Sequence, residues 1–354
     1  MKIAQIAPLY ETVPPRLYGG TERIVSYLSD ALVDLGHDVT LFAAAGDSTK
    51  AELVPGRDQA LRLDPHPMKS DLAAHLVQLD EVRHRADDFD VLHFHIDMLH
   101  FALFEDVASH TLTTLHGRLD MKDLGGVYAR WPEYPLVSIS DSQRAPLPLA
   151  SWIATVPHGL PVDLCTPAPE PRGDYLAFLG RICPEKRPDR AIEIARRAGM
   201  PLRIGAKVDP VDEAWFREVI EPQMRDPLIE FLGEVNDAEK CEILRHAQAT
   251  LFPIDWPEPF GLVMIESLAC GTPVIAWNCG SVPEVLEDGV TGVVVDSVDG
   301  AVDAVTTAAS LDRGRIRQEF ERRFSATTMA GRYLEIYQSL LDEERNETLR
   351  LEVV

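Results

Sequence analysis

Two series of short apolar strand patterns, each alternating with helical patterns, most constrain the fold of this chain. The first series begins with KIAQIAP, passes through VTLFAAA and continues with DVLHF, TLTTLH, LVSIS and ATVP. The second begins with YLAFLG and continues with PLRIGA, IEFLG and ATLFPI. Such alternation predicts open, largely parallel sheets, whose ligand sites lie at the carboxyl ends of their strands.

A proline-rich stretch separates the two series and predicts a domain boundary. Residues 165–173 read CTPAPEPRG, a composition poor in helix formers and typical of a linker. A chain of 354 residues is long enough for two domains of ordinary size, each with its own core. We expect an N-terminal α/β domain over residues 1–165 and a C-terminal one over residues 166–327. A last helix is expected over about residues 328–345.

Charge and cysteine content exclude several classes of protein. The net charge of −23 provides no basic field to attract nucleic acid or an anionic membrane, although it leaves room for one local phosphate site. No apolar run of the sequence approaches the roughly 20 residues that span a bilayer, and the opening MKIAQIAPLY predicts a strand rather than a secretory signal. Five cysteines without a CxxC pair indicate a reduced chain with neither a disulfide framework nor a metal cage. We therefore expect a cytoplasmic protein without strong membrane association.

Two glutamates stand out in the stretch from Asp255 to Val295. The pattern predicts an apolar helix that opens with PFG directly after Glu258 and ends near Gly271. Glu266 lies within this helix, where a buried carboxylate needs a partner. At about 1.5 Å of rise per residue, Phe260 and Glu266 are about 9 Å apart along the axis, the order of distance from a sugar ring past a diphosphate to a ribose. The helix N-terminus offers N–H groups and a positive dipole end to an anion.

The setting of the two glutamates carries a resemblance to a known family. Taken singly, Glu258 suits compensation of the helix dipole, and Glu266 suits a solvated helix position. Together they form a longer pattern: a glutamate, seven residues, a second glutamate, a CGTPVIA strand and a GSVPEVLEDGVTG loop. This pattern resembles the donor-sugar motif of the family 4 retaining glycosyltransferases. The resemblance implies the GT-B fold, an α/β architecture of two Rossmann-like domains that face each other across a cleft. It also implies a last helix that crosses back to the first domain, although a plain C-terminal helix on the second domain would show the same pattern.

A second motif, GRICPEKRP, begins at the end of the predicted strand YLAFLG. Arg181 follows this strand, and Lys186 and Arg187 precede a helix whose first turn is marked by Pro188. Cations at a helix N-terminus oppose the macrodipole, and a bound diphosphate would resolve that conflict through the guanidinium fork of Arg181. A solvated basic turn is the alternative. The motif is similar to the GR…K phosphate clamp of the same family, with Arg181 and Lys186 at the matching positions.

Other candidates depend on the resemblance for their roles. Gly20 belongs to a glycine pair after the first strand, where the backbone can approach a ligand closely or simply turn. Glu22, at the start of the following helix, either contacts the acceptor or complements the helix dipole. His116 ends TLTTLH, where the family carries a histidine or an acid near the donor sugar. Gly233 and Val235 lie in a loop whose backbone meets the nucleotide base in the family.

The resemblance therefore assigns two overlapping sets of site residues. The donor-binding set is Gly20, Arg181, Lys186, Gly233, Val235, Glu258, Pro259, Phe260, Gly261, Leu262 and Glu266. The catalytic set is His116, Glu258, Arg181 and Lys186.

A dense histidine cluster, HFHIDMLH, contains His93, His95, Asp97 and His100. Its spacing suggests a metal site. However, His93 and His95 would share one strand face while Asp97 falls in the following loop, and no separate ligand set completes a site. We expect no metal here, and expect Asp97 or His95 to line the acceptor cleft.

These features predict a retaining glycosyltransferase that moves a hexose from a nucleoside-diphosphate sugar to an unknown acceptor hydroxyl. UDP is favoured as the nucleotide, with GDP next. The expected partners are a nucleotide-sugar donor and a sugar, lipid-linked or small-molecule acceptor, with no tightly bound cofactor and no nucleic acid. In the family, the leaving diphosphate helps to deprotonate the acceptor, so that Arg181, Lys186 and the helix end would stabilise the growing charge without a divalent metal.

Two alternative functions remain open. A nicotinamide-dependent Rossmann enzyme would use Asp47 as its ribose carboxylate, but the first loop, YETVPPRLYGGTER, lacks G-x-G-x-x-G and is too long for a dinucleotide turn. A non-catalytic nucleotide-sugar-binding protein would need a defective site. The donor-side positions are instead all intact: Arg181, Lys186, Glu258, Gly261 and Glu266.

Overall fold

The structure, a computed structural model, describes residues 1–16, 19–46 and 48–352, and the side chains of these except 344 and 346–352. The chain separates into two compact units. Unit 1 comprises Met1–Gly159 with Ala326–Val354, and unit 2 comprises Leu160–Ser325. Asp47, the ribose carboxylate of the nicotinamide alternative, lies outside the described residues.

Unit 1 is built on a seven-stranded parallel sheet of order β3-β2-β1-β4-β5-β6-β7. Its strands are β1 (Lys2–Ile6), β2 (Asp38–Ala44), β3 (Glu52–Arg57), β4 (Val91–Phe94), β5 (Thr111–Thr114), β6 (Leu136–Ser138) and β7 (Trp152–Thr155). Ile3 of β1 pairs with Val39 on one side and Val91 on the other. The strand order reverses between β1 and β4, and ligands of such sheets bind at the carboxyl ends beside this reversal.

The described residues of unit 1 form four α-helices: α1 (Gly20–Asp34), α2 (Asp71–His84), α3 (Leu124–Arg130) and α11 (Ala326–Glu352). The last of these, α11, packs on α1. Its fully buried Tyr337 contacts the sheet through a hydrogen bond from the Gln5 amide nitrogen of β1, at 3.1 Å. The final helix, for which the sequence left two packings open, therefore completes the core of the first unit.

Unit 2 repeats the same topology with a six-stranded parallel sheet of order β10-β9-β8-β11-β12-β13. Its strands are β8 (Leu176–Arg181), β9 (Leu202–Lys207), β10 (Ile229–Gly233), β11 (Ala249–Phe252), β12 (Val274–Trp277) and β13 (Gly292–Val295). Its α-helices are α4 (Pro188–Ala198), α5 (Glu213–Trp215), α6 (Asp237–His246), α7 (Leu262–Ala269), α8 (Val282–Val285), α9 (Val298–Ala309) and α10 (Arg313–Phe324). The order reverses between β8 and β11, so the loops after these two strands are the expected ligand-binding edge.

The helix α6 has a sharply defined start. The Asn236 side chain accepts a hydrogen bond from the Glu239 N–H, and the Glu239 carboxylate accepts one from the Asn236 N–H, which forms a capping box. Such caps stabilise a helix by about 1 kcal/mol. The cap fixes the first turn of α6, which carries Lys240 one residue further on.

One expectation about the cysteines is wrong. The sequence indicated no disulfide, whereas Cys165 and Cys241 form one, with their Cα atoms 5.3 Å apart. These cysteines are separated by 76 residues, so no local spacing signalled the pair. The bond ties the first residue of the proline-rich stretch to α6. Among the described residues, no helix has the length and apolarity that crossing a membrane requires.

Candidate active site

The loop between β11 and α7 holds the first glutamate of the donor motif. The Glu258 N–H donates to the Trp256 carbonyl at 2.8 Å, and the Glu258 carbonyl accepts from the Ser281 N–H at 3.0 Å. Gly280 lies so close to this loop that a Cβ there would be 2.4 Å from the Glu258 nitrogen, and its φ is +58°. Only glycine fits such an approach. The loop before α8 thus fixes the backbone of Glu258.

Lys186 and Glu258, 72 residues apart in sequence, form an ion pair. Lys186 ends a short 3-10 turn, Pro184–Lys186, that follows β8. The two side chains are 20% and 12% exposed, so the pair is mostly screened from water. The Lys186 ammonium also lies 5.6 Å from the ring centre of Phe252 and 5.5 Å from that of Trp256. The structure therefore joins the two predicted motifs of the donor half at one point.

Arg181, the other predicted phosphate-binding cation, is the last residue of β8. Its guanidinium donates to Asp209 at 3.2 Å and lies 3.8 Å from Glu185. Lys207, at the end of β9, contacts the other oxygen of Asp209 at 3.2 Å. Burial alone would raise the pKa of the Asp209 carboxyl, but hydrogen bonds from Lys207 and Arg181 outweigh it and hold that pKa below its usual range. Asp209 therefore stays ionised and orients Arg181.

The neighbouring Arg187 has a different role from Lys186. It adopts a left-handed conformation, with φ of +55°, at the start of α4. Its guanidinium donates to Asp189 and, at 2.9 Å, to Asp255. These bonds orient Arg187 toward Asp189 and Asp255, whereas Lys186 pairs with Glu258.

Glu266 is buried within α7, with 5% of its surface exposed. The partner that such a carboxylate requires is Lys240 of α6, whose ammonium forms an ion pair with it and lies 3.1 Å from Asp237 as well. The apolar helix pattern predicted that Glu266 needs a partner but did not identify Lys240. The two residues are 26 positions apart on different helices, and a lysine in an exposed-looking helix pattern carries no signal of this contact.

The N-terminus of α7 lies between the two glutamates in the chain. The helix begins at Leu262, after Gly261 in a left-handed conformation, and not at Pro259 as the sequence pattern suggested. Pro259 is buried, and Phe260 packs edge-on against Phe324 with ring centres 6.2 Å apart. Their side chains belong to the core of unit 2. The predicted donor contacts of this segment are therefore possible through backbone groups near Gly261 and Leu262, where the dipole end is positive.

The remaining donor-side positions of unit 2 lie at the end of β10. Gly233 is its last residue, with φ of +72°, and Val235 follows two residues later. Both are partly exposed. Backbone groups at a strand end in this position are accessible to a planar ligand such as a nucleotide base.

His116 belongs to unit 1, two residues after the end of β5. Its Nε2 is hydrogen-bonded to Nδ1 of His95 at 2.8 Å, and its ring stacks on that of His158 with centres 5.2 Å apart. Burial lowers the pKa of His116 to about 3, so the imidazole is neutral at physiological pH.

The first loop of unit 1 contains the predicted Gly20 and Glu22. Gly20 is the first residue of α1 and is exposed. Glu22 is buried and accepts a hydrogen bond from the Glu11 N–H at 3.2 Å, and desolvation raises the pKa of its carboxyl. The Glu22 carboxylate thus supports its own loop, and both roles expected for it, acceptor contact and complementing the helix dipole, stay predictions.

The histidine cluster is a hydrogen-bonded part of the unit 1 core. His93 bonds to Tyr337 Oη at 2.7 Å and to Thr114 Oγ1 at 2.8 Å, and His100 stacks on Phe94 at 3.7 Å. His95 is buried too, so the expectation that Asp97 or His95 lines the acceptor cleft stays a prediction for Asp97. No group of three histidine, cysteine or acidic residues within the described part of the chain is arranged to hold a metal ion. Asp97 is exposed and has φ of +52°.

The fold and the strand-end site define a class of protein. The structure is similar to that of AviGT4, a glycosyltransferase involved in avilamycin A biosynthesis, with a TM-score of 0.73 at 23% identity over 97% of this chain and 98% of the other. It is also similar to Anabaena HepE in complex with UDP and glucose, with a TM-score of 0.72 at 16% identity over 96% of this chain and 100% of the other. Two parallel-sheet α/β domains of this kind are the GT-B fold of glycosyltransferases, which confirms the predicted fold class.

The sequence places the chain more narrowly within that class. The model of Glycosyltransferase Family 4 matches residues 18–152, and that of Glycosyl transferases group 1 matches residues 168–324. The phosphatidyl-myo-inositol mannosyltransferase of Mycobacterium leprae (strain TN) is 28% identical over 379 residues, covering 96% of this chain and 97% of the relative. The chain belongs to the family 4 glycosyltransferases, as its donor motif predicted.

Proposed function

We propose that this glycosyltransferase moves a hexose, with retention of its anomeric configuration, from a nucleoside-diphosphate sugar to an acceptor hydroxyl. The observation that carries the proposal is the meeting of Lys186 and Glu258 in one ion pair, at the ligand-binding edge of the unit 2 sheet. A cation for a diphosphate and a carboxylate for sugar hydroxyls are the two groups that such a donor requires at that edge.

Each cation proposed to bind the diphosphate already has a carboxylate partner. Arg181 is paired with Asp209 and Lys186 with Glu258. A diphosphate provides charge-assisted bonds to both cations without removing them from their carboxylates, because a guanidinium has five donors and an ammonium has three. The same cations, together with the N-terminus of α7, would stabilise the charge that grows on the leaving diphosphate.

Glu266 would hold the ribose of the donor. Lys240 occupies its Oε1 atom, which leaves Oε2 of the carboxylate to accept hydrogen bonds from ribose hydroxyls. Because Lys240 pairs with this buried carboxylate and orients it, the bond to a ribose hydroxyl would be charge-assisted.

We further propose that transfer proceeds without a divalent metal, since Arg181, Lys186 and the α7 dipole supply positive charge where a metal would otherwise act. UDP is favoured as the nucleotide, with GDP next. The complex of HepE with UDP and glucose supports the first choice. The name of the mycobacterial relative makes mannose a hexose to test, and a lipid-linked inositol an acceptor to test.

A ligand panel tests the donor half directly. Thermal unfolding would be followed with UDP, GDP, ADP, the corresponding sugar nucleotides and NADH. A ligand at 100 times its dissociation constant adds about 2.7 kcal/mol of stability, a readily measured shift. Stabilisation by one nucleoside diphosphate and its sugar is the expected result. Stabilisation by NADH alone would favour the nicotinamide enzyme instead.

Turnover of the stabilising sugar nucleotide then tests the chemistry. NMR of the product should show the same anomeric configuration as in the donor. An inverted product would contradict retention, and tight binding with no transfer to any of a panel of sugar, inositol and lipid-linked acceptors would favour the non-catalytic alternative.

A further inference from the structure

The two loops that carry donor-side residues of unit 2 are joined by bonds besides the ion pair of Lys186 with Glu258. The first loop follows β8 and carries Lys186, and the second follows β11 and carries Glu258. The Asp255 N–H of the second loop donates to the Glu185 carbonyl at 2.9 Å. The Asp255 carboxylate accepts from the Arg187 guanidinium, also at 2.9 Å. The residues on both sides of Lys186 therefore hold the second loop at Asp255.

Arg187 makes this contact from a backbone conformation that the sequence disfavours. Its φ of +55° lies in the left-handed region, which is unfavourable for L side chains, and the following Pro188 favours extended backbone at the residue before it. Glycine would adopt this conformation without that cost. The Arg187 guanidinium also donates to Asp189, from Nε at 3.0 Å and from Nη2 at 2.8 Å. The bonds of the side chain thus compensate for a conformation that sets the direction of the chain between Lys186 and α4.

A second arginine of α4 contacts the same loop. Arg190 donates to the carbonyls of Pro253 and Ile254 at 3.0 and 3.4 Å. Its guanidinium also lies 3.5 Å from Oδ1 of Asp255, whereas Arg187 contacts Oδ2. The hydrogen bond from Arg187 is the main cause that lowers the pKa of Asp255, so this carboxylate is ionised at neutral pH. An isolated exposed ion pair stabilises little, but a network of several charges does more.

We propose that Arg187 and Asp255 are positioning residues for the donor diphosphate. Their bond fixes the loop of Lys186 against the loop of Glu258 before a donor binds. Such preorganisation raises affinity, because the binding step then has less of the protein to order. The proposal deepens the function proposed above and rests on it for the presence of a nucleoside diphosphate at Lys186. In this role neither Arg187 nor Asp255 touches the donor.

Two substitutions of Asp255 separate positioning from electrostatics. Asp255→Ala and Asp255→Asn remove the same negative charge beside a site for an anion, and the change of charge alone would strengthen UDP binding or leave it unchanged in both. Only Asp255→Asn keeps an oxygen that can accept the Arg187 hydrogen bond. We expect Asp255→Ala to weaken UDP binding about fivefold, the scale of one hydrogen bond, and Asp255→Asn to stay within about twofold of the wild type. If the wild type binds only guanine nucleotides, GDP is the probe.

Glu230→Ala is the matched control for loss of a paired carboxylate. The Glu230 side chain is 55% exposed, against 56% for Asp255, and it pairs with Arg203 at 2.9 Å near the amino ends of β9 and β10. Its UDP affinity should stay within about twofold of the wild type. Melting temperatures check that each variant folds.

Arg187→Gly tests the bond from its other partner. Glycine suits the left-handed conformation, so this variant loses the bond while its backbone is relieved of strain. UDP binding should again weaken about fivefold. The double variant with Asp255→Ala should bind UDP no more weakly than Arg187→Gly alone, because both substitutions remove the same bond.

A measurement without ligand follows the ion pair of Lys186 with Glu258 directly. Acetylation by acetic anhydride is read by mass spectrometry at Lys186 and, as an internal reference, at Lys240, which pairs with Glu266 instead. Asp255→Ala should raise the rate at Lys186 relative to Lys240 about threefold, the scale of one partly exposed ion pair. Asp255→Asn should not raise it.

UDP binding that is unchanged or tighter in Asp255→Ala, or that changes equally in Asp255→Ala and Asp255→Asn, would overturn the proposal. An unchanged rate of acetylation at Lys186 in Asp255→Ala would overturn it as well. A wild-type protein that binds no nucleoside diphosphate, while its Lys186 responds to the substitutions as expected, would instead disprove the proposed function. The two failures are therefore distinguishable.

Discussion

Unit 1 and unit 2 share the same strand order around their central reversal, yet they hold polar groups at the strand ends in opposite ways. In unit 1 the hydrogen-bonded chain from Gln5 through His95 to His116 is neutral and mostly buried. In unit 2 the strand-end groups are ion pairs with partial exposure, such as Arg181 with Asp209 and Lys186 with Glu258. A neutral network specifies the direction of hydrogen bonds, whereas ion pairs provide charge that a ligand can share. One strand order thus carries two kinds of polar network.

The largest expected effect is that acid lowers the stability of unit 1 but not that of unit 2. Four histidines of unit 1 are buried and have their pKa lowered well below 6.5, chiefly by desolvation: His93, His95, His100 and His158. Below pH 6.5 the unfolded chain binds protons that the folded unit excludes, so the stability of unit 1 is fully present above that pH and is lost as pH falls. Between pH 7.5 and 5.5 each histidine should lower the free energy of unfolding of unit 1 by about 1.4 kcal/mol.

Hydrogen exchange of the backbone amides, corrected for the intrinsic effect of pH, would report this loss unit by unit. Unit 2 should keep its protection, because the lowered pKa values of Asp209 and Asp255 leave both carboxylates ionised throughout this range. Replacing the exposed His84 by glutamine is the control and should not alter the slope. Equal loss of protection in both units would break the comparison.

The second largest effect is expected at the phosphate clamp. Arg181→Ala should lower turnover and weaken nucleoside-diphosphate binding by roughly ten- to a hundredfold, because a hydrogen bond to a charged group is worth about 1.5–3 kcal/mol. Arg196→Ala is the matched control, since it removes an arginine of unit 2 that is paired with Asp226 away from the site. Titration calorimetry measures both. Unchanged affinity in Arg181→Ala would remove Arg181 from the donor site.

The third prediction distinguishes the two glutamates. Glu266→Gln should weaken UDP and UDP-glucose alike, by about tenfold, because both ligands carry the ribose. Glu258→Gln should lower turnover while UDP affinity stays within about threefold, because the free diphosphate lacks the sugar that Glu258 is proposed to face. Glu258→Gln also removes a negative charge beside Lys186. The substitution therefore adds no electrostatic repulsion that could weaken the binding of UDP.

Melting temperatures check that both variants fold, since each replacement keeps size and hydrogen-bonding capacity. Parallel loss of UDP affinity in the two variants would mean that the sugar lies elsewhere along α7.

Removal of divalent metal is expected to have no effect on activity. Activity in excess EDTA should equal activity in magnesium, because Arg181, Lys186 and the α7 N-terminus supply the positive charge of the site. Initial rates under the two conditions measure this. A strict requirement for magnesium would contradict the proposal that the cations of unit 2 stabilise the leaving diphosphate without a metal.

Local sequence patterns predicted the fold class and the family of this protein. Alternating strand and helix patterns predicted two α/β halves, and the spacing of Glu258 and Glu266 predicted the family that the comparisons show. The start of α7 was misplaced by three residues because Gly261, in its left-handed conformation, caps the helix after the apolar PFG segment has already begun.

The contacts that complete the sites were not predictable in this way. Lys240 reaches Glu266 from another helix, and Asp209 reaches Arg181 from the end of the adjacent strand. No periodic sequence pattern indicates either contact, because each depends on which helices or strands become neighbours in the fold. Strand-end position offered the only signal for Asp209, since charged residues at the carboxyl end of a parallel strand face the ligand edge. The pairing of Cys165 with Cys241 was missed for the same reason.

The contact between Gln5 and Tyr337 also has a consequence for synthesis of the chain. The two residues are 332 positions apart, so β1 leaves the ribosome long before the helix that covers it. At about 5–20 residues per second, the delay is roughly 15 to 65 s. Unit 2 is one continuous segment and can acquire its core during that interval, whereas the polar groups at the end of β1 wait for α11. The second unit to be translated is therefore expected to be the first to finish folding.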